Sequence, residues 1–151
     1  MKAQVAKMTL LSLGVGLLMQ LMQGWLGSSY FTEFLKANLI NLLIALLAIN
    51  SATMGIVLTK IRELIEKYGH GDVFVKTHAH FLLSIKEQIW LIGGAIFLLT
   101  LSMSKYTKDL QNGELFFGSA ISGIFFYSMN ILYDIAKGVL IIIDFNPKTD
   151  D

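Results

Sequence analysis

Residues 38–59 of the chain read NLINLLIALLAINSATMGIVLT and carry no charged side chain. A transmembrane helix needs about 20 consecutive, mostly apolar residues, so this stretch is long enough to cross a bilayer. One face of the predicted helix differs from the others, because its side chains recur every three or four residues and are all small or polar. We call this face the second-span seam; it consists of Asn38, Asn41, Ala45, Ala48, Ala52, Gly55 and Thr59.

The second-span seam has two interpretations. In lipid, small residues let helix backbones approach closely, and amide side chains hydrogen-bond between helices. The seam is therefore either a packing surface between helices or the wall of a pore. Both interpretations remain open at the level of the sequence.

The composition of the whole chain also indicates a membrane protein. The chain is 54% hydrophobic, with a mean hydropathy of +0.62, which is high for a soluble domain. Without cysteine it can form neither a disulfide nor a cysteine metal site. Four apolar segments predict an all-α integral membrane protein with one transmembrane domain over residues 1–151 and spans at about 8–26, 37–59, 88–104 and 115–135.

The first span carries a polar row of its own. We call it the first-span seam; it consists of Thr9, Ser12, Gly16, Gln20, Gln23 and Gly27. The link between the first two spans is short, which predicts that they are antiparallel neighbours. Gln20 and Gln23 would then lie level with Asn38 and Asn41, and the two seams would face each other, another subunit or water.

The second helix is expected to continue beyond the membrane. After Thr59 the chain reads KIRELIEKYG, with apolar residues on one stripe and charges opposite, which predicts a helical hairpin over about 60–87. This hairpin is rich in lysine and arginine, so the positive-inside rule places it and both termini in the cytoplasm. The apolar run 139–145 fits a strand or a helix by composition; we favour a helix that packs on the apolar stripe of the hairpin.

No arrangement of residues predicts catalysis or a cofactor. The chain has no glycine-rich phosphate loop and no nucleophile motif. His78 and His80 are two residues apart, so on a helix they point to nearly opposite sides, and we expect no metal site. Asp134 and Lys137 are three residues apart near the inner interface and are expected to form an ion pair on one helix face.

The basic residues of the hairpin have three interpretations. The first is that they only set the topology, the second that they bind anionic lipid headgroups. The third is that they bind a cytoplasmic polyanion such as a nucleotide or a nucleic acid strand. Glutamates interleave with them, which weakens the polyanion signal. The candidate ligand-binding residues are Lys60, Arg62, Lys67, Lys76 and Lys86.

This layout of four spans, a polar-seamed second helix, a basic hairpin and no enzymatic motif resembles the small membrane effectors of phage-defence systems. That group includes the Hailong-type channel effectors and the RexB-like exclusion membrane proteins. The resemblance implies a homo-oligomeric ion channel, a tetramer as the first expectation, that depolarises the host membrane. For the Hailong type it also implies a partner nucleotidyltransferase, whose single-stranded oligodeoxyadenylate would hold the channel shut from the cytoplasm.

Two rival functions remain open. One is a non-conducting membrane subunit that docks a cytoplasmic partner protein through the hairpin. The other is a holin-like protein that forms lesions in the membrane. Discrete, ion-selective conductance would favour a channel over both.

Overall fold

The computed structural model describes residues 2–68, 72–105 and 112–143, and four long helices account for nearly all of them. The helices are α1 (Lys2–Leu26), α2 (Tyr30–Tyr68), α3 (Asp72–Ser102) and α4 (Gly113–Ile143). Each contains a stretch that is long and apolar enough to cross a bilayer. No strand occurs in the described residues. The prediction of an all-α, multi-pass membrane protein with four spans is therefore confirmed.

Helices α2 and α3 extend well beyond the predicted spans at their hairpin ends. Helix α2 continues through residues 37–59 to Tyr68, so the span and the expected hairpin arm form one continuous helix. This helix has 39 residues and is about 58 Å long, against a hydrocarbon core of about 30 Å. Helix α3 begins at Asp72, so the second hairpin arm also runs without a break into the predicted third span.

Helix α4 is the centre of the bundle. It packs against each of the other three helices and is the most buried of the four spans. The core consists of two clusters. The cluster near the α1–α2 turn contains Leu35, Leu39, Leu43, Ala95, Leu99 and Ile121. The cluster toward the α2–α3 connection contains Met54, Val57, Ile61, Leu64, Phe81, Tyr127, Ile131, Ile135 and Ile142.

Helix α1 packs along α4 and not along α2. Over the described residues, α1 and α2 hardly touch beyond the turn that joins them, while α1 and α4 form the most extensive helix pair of the bundle. The prediction that the first two spans pack side by side is therefore wrong. A short link keeps two helix ends together, but it does not decide which neighbour each helix packs against along its length.

Small residues explain why α1 packs against α4. A methyl group at Gly16 would meet the carbonyl oxygen of Ser119 and lie 2.7 Å from the backbone nitrogen of Gly123. A methyl group at Gly123 would lie 3.0 Å from Leu13 Cδ2 and 3.4 Å from the carbonyl oxygen of Ser12. The two backbones are therefore nearly in contact, as in small-residue helix pairs in lipid. The first-span seam therefore packs against α4.

The turn between α1 and α2 is a Schellman motif. Gly27 has a φ of 62°, a left-handed conformation that favours glycine. The backbone N–H of Ser28 donates to the carbonyl of Gln23 at 3.0 Å, and that of Gly27 donates to the carbonyl of Gly24 at 3.3 Å. These two bonds cap α1, and α2 begins at Tyr30. The chain therefore reverses within three residues.

The buried face of α2 repeats every three, four or seven residues, the period of a coiled-coil seam. Its members are Leu35, Leu39, Leu43, Asn50, Met54, Val57, Ile61 and Leu64. The facing positions of α3 follow the same period: Phe81, Gln88, Ala95 and Leu99. Thus α2 and α3 pack along each other and on α4, with one polar position on each helix in an otherwise apolar core.

The late apolar run continues as helix α4 up to Ile143, which confirms the helical interpretation to that residue. Ile142 is buried in the same cluster as Ile61 and Leu64, and Val139 packs against that cluster. The apolar stripe beyond Thr59 is therefore covered by the end of α4, as predicted. Residues 144 and 145 of the run lie outside the described residues.

The close α1–α4 contact yields a test with a matched control. We expect Gly16→Ala to lower the free energy of unfolding by about 1–3 kcal/mol, because the added methyl overlaps the backbone of α4. Gly14 lies on the opposite side of α1, where an added methyl would have no atom of a neighbouring helix within 4 Å. Gly14→Ala should therefore change stability by no more than about 1 kcal/mol. Unfolding of both variants in one detergent measures the difference. Equal stability would contradict the packing of α1 on α4.

Candidate functional site

The second-span seam faces away from the rest of the bundle. Asn38 is half-buried, and the other six seam residues are exposed. At 3.6 residues per turn, the seam falls on the opposite side of α2 from the buried leucines that pack on α3 and α4. None of the other three described helices covers this face, so it is free to meet lipid, water or a second copy of the protein.

The other exposed surfaces of the bundle have a different chemistry. They present large apolar and aromatic side chains, as expected of surfaces that contact acyl chains. The members that are more than 60% exposed include Leu10, Leu18, Trp25, Trp90, Phe97, Phe116 and Leu140. The second-span seam instead presents alanine, glycine, asparagine and threonine, so it differs in chemistry from these lipid-like surfaces.

The polar groups of the seam are only partly satisfied. Asn38 Nδ2 donates to the carbonyl of Phe34 at 3.0 Å, and Thr59 Oγ1 donates to the carbonyl of Gly55 at 3.1 Å. Both bonds lie within α2. Among the described residues, the side-chain amide of Asn41 has no hydrogen-bond partner. In hydrocarbon an unpaired amide costs free energy, so the side chain of Asn41 needs water or another protein group.

Gln20 and Gln23 do not join the second-span seam. Gln20 Nε2 donates to Thr32 Oγ1 at 2.5 Å and to Ser122 Oγ at 3.5 Å. Gln23 Nε2 donates to Thr32 Oγ1 at 3.0 Å, and its Oε1 accepts the backbone N–H of Thr32 at 3.2 Å. Both glutamines therefore fasten the start of α2 to α1, and Gln20 also reaches α4. They stabilise the fold and lie apart from Asn41.

Two buried amides are not singled out by the sequence pattern. Asn50 on α2 and Gln88 on α3 are 1% and 2% exposed, and neither side-chain amide has a hydrogen-bond partner in the described residues. Asn50 lies between the core positions Leu43 and Met54 of α2, and Gln88 lies midway between Phe81 and Ala95 of α3. Because α2 and α3 are antiparallel, the two amides lie at a similar level of the interface. Their positions in the coiled-coil period are the signal that could have identified them.

Two of the basic residues expected to bind a ligand form ion pairs with glutamates of the same helix. Lys60 Nζ lies 3.2 Å from Glu63 Oε2, and Arg62 Nε lies 2.9 Å from Glu66 Oε1. Both pairs are solvent-exposed, so they are weak and a polyanion could displace the glutamates. Lys67 and Lys86 are also exposed. Lys76 lies on α3, outside the residues whose side chains the structure describes.

The expected ion pair between Asp134 and Lys137 is not formed. Both residues are described and exposed, and their charged groups are not within 4.0 Å of each other. An exposed pair one helical turn apart gains little free energy from pairing, so each side chain can extend separately. Both side chains instead line a cavity beside α4.

Comparisons with protein-family models, with curated proteins and with solved structures find no match for this chain. The fold and the site therefore carry the functional argument. They define a multi-pass membrane protein whose second helix exposes a small and polar face.

The buried amides give a test of the α2–α3 interface. Met has nearly the shape of Gln, so Gln88→Met removes an unpaired buried amide and keeps the packing. We expect it to raise the free energy of unfolding by about 1–3 kcal/mol. The control is Gln20→Met, which removes the bond to Thr32 and should lower stability by about 0.5–1.5 kcal/mol. If Gln88→Met is destabilising in detergent-solubilised protein, the Gln88 amide has a partner that the α2–α3 interface does not supply.

Proposed function

We propose that this protein is a homo-oligomeric membrane channel in which the second-span seam meets the seams of neighbouring subunits around an ion pathway. One observation carries the proposal: the small and polar face of α2 is exposed on the side opposite the core, and the side-chain amide of Asn41 has no partner among the described residues. Self-association would remove this face from lipid and supply the amide with water or a partner.

The side chains of the seam suit an ion pathway. Asn38 and Asn41 would form the polar mouth at one end, and Ala45, Ala48 and Ala52 the narrow part. A ring of alanines leaves room for a hydrated ion, and such an apolar constriction can close by dewetting. Gly55 and Thr59 would form the end toward the hairpin. The seam carries no charge, so it offers no charged ring for ion selection.

The continuity of α2 offers a route for gating. Lys60 and Arg62 follow Thr59 closely on the same helix. A ligand that binds these basic residues would therefore act on the helix that carries the seam. The polyanion remains the proposed ligand, and by resemblance it is a single-stranded oligodeoxyadenylate made by a partner nucleotidyltransferase.

The biological part of the proposal follows from the same resemblance. The protein would reside in a bacterial inner membrane with both termini in the cytoplasm, assemble as a tetramer, and depolarise the membrane as an antiviral effector. A conducting oligomer is required by this role. Its absence would favour the non-conducting docking subunit.

The pore proposal is tested by enlarging one alanine of the seam. We expect Ala48→Leu to reduce single-channel conductance strongly in planar bilayers while oligomer size stays unchanged, because leucine narrows and dries the pathway. Ala136→Leu is the control, since Ala136 is exposed on α4 away from the seam; its conductance should match the unmodified protein. Oligomer size is measured on the same samples by light scattering.

The other outcomes separate the rival interpretations. If Ala48→Leu dissociates the oligomer, the seam is a packing surface, since overpacking a tight contact costs about 1–3 kcal/mol. If neither the oligomer size nor the conductance changes, α2 does not line the pore. No conductance from the unmodified oligomer supports the docking subunit, and large irregular leaks support a holin-like protein.

The ligand proposal is tested by reversing charge in the basic segment. We expect the double variant Lys60→Glu, Arg62→Glu to lose binding of a single-stranded oligodeoxyadenylate, and added salt to mimic the loss in the unmodified protein. Lys36→Glu is the control, because Lys36 lies at the opposite end of the same helix. Fluorescence anisotropy with a labelled oligonucleotide measures binding. An affinity that does not respond to salt would contradict polyanion binding at this segment.

A further inference from the structure

A groove runs between α1 and α3 over the surface of α4. Both helices pack on α4 but make little contact with each other, so the groove opens sideways between them. It contains two cavities of about 480 Å³ and 330 Å³. Val5, Glu87 and Tyr127 line both cavities, so the two are adjoining chambers of one groove. Each has the size of a small-molecule site, which is roughly 300–1,000 Å³.

The larger chamber is the polar one. Glu87, Asp134 and Lys137 line it together, and Asn130 adds an amide. Tyr127 Oη donates to Glu87 Oε2 at 3.4 Å, which orients that carboxylate beside α4. Among the described residues, neither acid forms an ion pair within 4.0 Å. The chamber therefore holds two carboxylates and one ammonium that are not neutralised by one another.

The smaller chamber is apolar. Its walls are mainly aliphatic, with Trp90 at one side, and they contain the close-packed Gly123 of α4. The other members that face it include Leu13, Leu91, Leu98, Ala120 and Ile124. This chamber extends from Glu87 toward the α1–α2 turn, since Leu98 and Ala120 lie nearer that end of their helices.

The two chambers match the layering of a bilayer. Residues 8–26, 88–102 and 115–133 carry no charged side chain, and Glu87, Asp134 and Lys137 of the polar chamber lie just outside these uncharged runs. Apart from Val5 and Glu87, every residue that lines the apolar chamber lies within them. Charged side chains are costly in the hydrocarbon core. The polar chamber is therefore at headgroup level, while the apolar chamber lies at the depth of the acyl chains.

We propose that this groove binds a phospholipid with a zwitterionic ammonium–phosphate headgroup of the phosphatidylethanolamine type. The ammonium lies between Glu87 and Asp134, the phosphate meets Lys137, and one acyl chain occupies the apolar chamber. An anionic lipid would place its charge beside two carboxylates, which is unfavourable. A soluble cation would leave the apolar chamber unfilled. The site involves α1, α3 and α4, so it is independent of the pore proposed for α2.

Trp90 is a natural reporter of this site. The chain has two tryptophans, Trp25 and Trp90, and Trp25 lies at the far end of α1. In a Trp25→Phe background the emission reports from the groove alone. The protein is reconstituted into phosphatidylglycerol vesicles that contain phosphatidylethanolamine, with bromine on the acyl chains of one lipid at a time. Bromine quenches nearby tryptophan, so the two lipids can be compared at equal mole fraction.

We expect brominated phosphatidylethanolamine to quench Trp90 with an apparent association constant about three- to tenfold above that of brominated phosphatidylglycerol. The double variant Glu87→Gln, Asp134→Asn should bring the ratio to about one, because it removes the negative charges and keeps the side-chain shapes. Ala120→Phe fills the apolar chamber and should lower quenching by phosphatidylethanolamine.

Glu114→Gln is the control for loss of an acid, since Glu114 is exposed at the opposite end of α4; it should leave the ratio unchanged. Trp90 is 73% exposed, so bulk lipid alone would quench it equally in either headgroup class. Equal quenching by the two lipids in the unmodified protein overturns the proposal. A ratio that survives the double variant also overturns it, because the carboxylates would then not recognise the headgroup.

Discussion

The approach of α1 to α4 at Gly16 and Gly123 is the contact on which the rest of the arrangement depends. A methyl group at Gly16 would overlap the backbone of α4, and one at Gly123 would crowd Leu13 on α1. With α1 held on α4, the far side of α2 has no neighbour among the described helices, and its seam stays exposed. The same contact holds α1 away from α3, which leaves the groove between them. One small-residue contact thus accounts for both candidate sites of the molecule.

The amide side chains show how differently similar polar residues are used in one membrane domain. Gln20 and Gln23 bond to Thr32 and fasten the α1–α2 turn. Asn50 and Gln88 are buried without partners in the described residues and weaken an interface that is otherwise apolar. Unpaired amides in the core lower the stability of the domain. Positions that lower stability in this way are commonly functional sites or elements that move. Their place between α2 and α3 puts the weak point directly behind the exposed seam.

Much of the architecture could be predicted from the sequence, because local periodicity shows where helices lie and which faces they bury. The four spans and the continuation of α2 past Thr59 follow from patterns within one segment, and the packing of Ile142 on α2 follows from two apolar stripes that each need a partner. The partner of α1 does not, because Gly16 and Gly123 are far apart in the sequence and only the folded structure brings them together. The burial of Asn50 and Gln88 is hard to predict for a similar reason. Polar residues stand beside each in the sequence, Ser51 after Asn50 and Glu87 before Gln88, so only the packing of the helices shows that these two amides are buried.

The uninterrupted course of α2 has a mechanical consequence. No proline that would kink the helix occurs between Tyr30 and Tyr68. A rotation of one end of α2 about the helix axis therefore rotates the other end as well. Ile44 and Ile56 flank the alanines of the seam on either side and are exposed. Rotating α2 about its axis by the angle between successive residues, about 100°, would carry an isoleucine into the place of an alanine. In the proposed channel, the difference between a wide and a blocked pathway would then depend on the rotation of α2, with no change in the fold of the subunit.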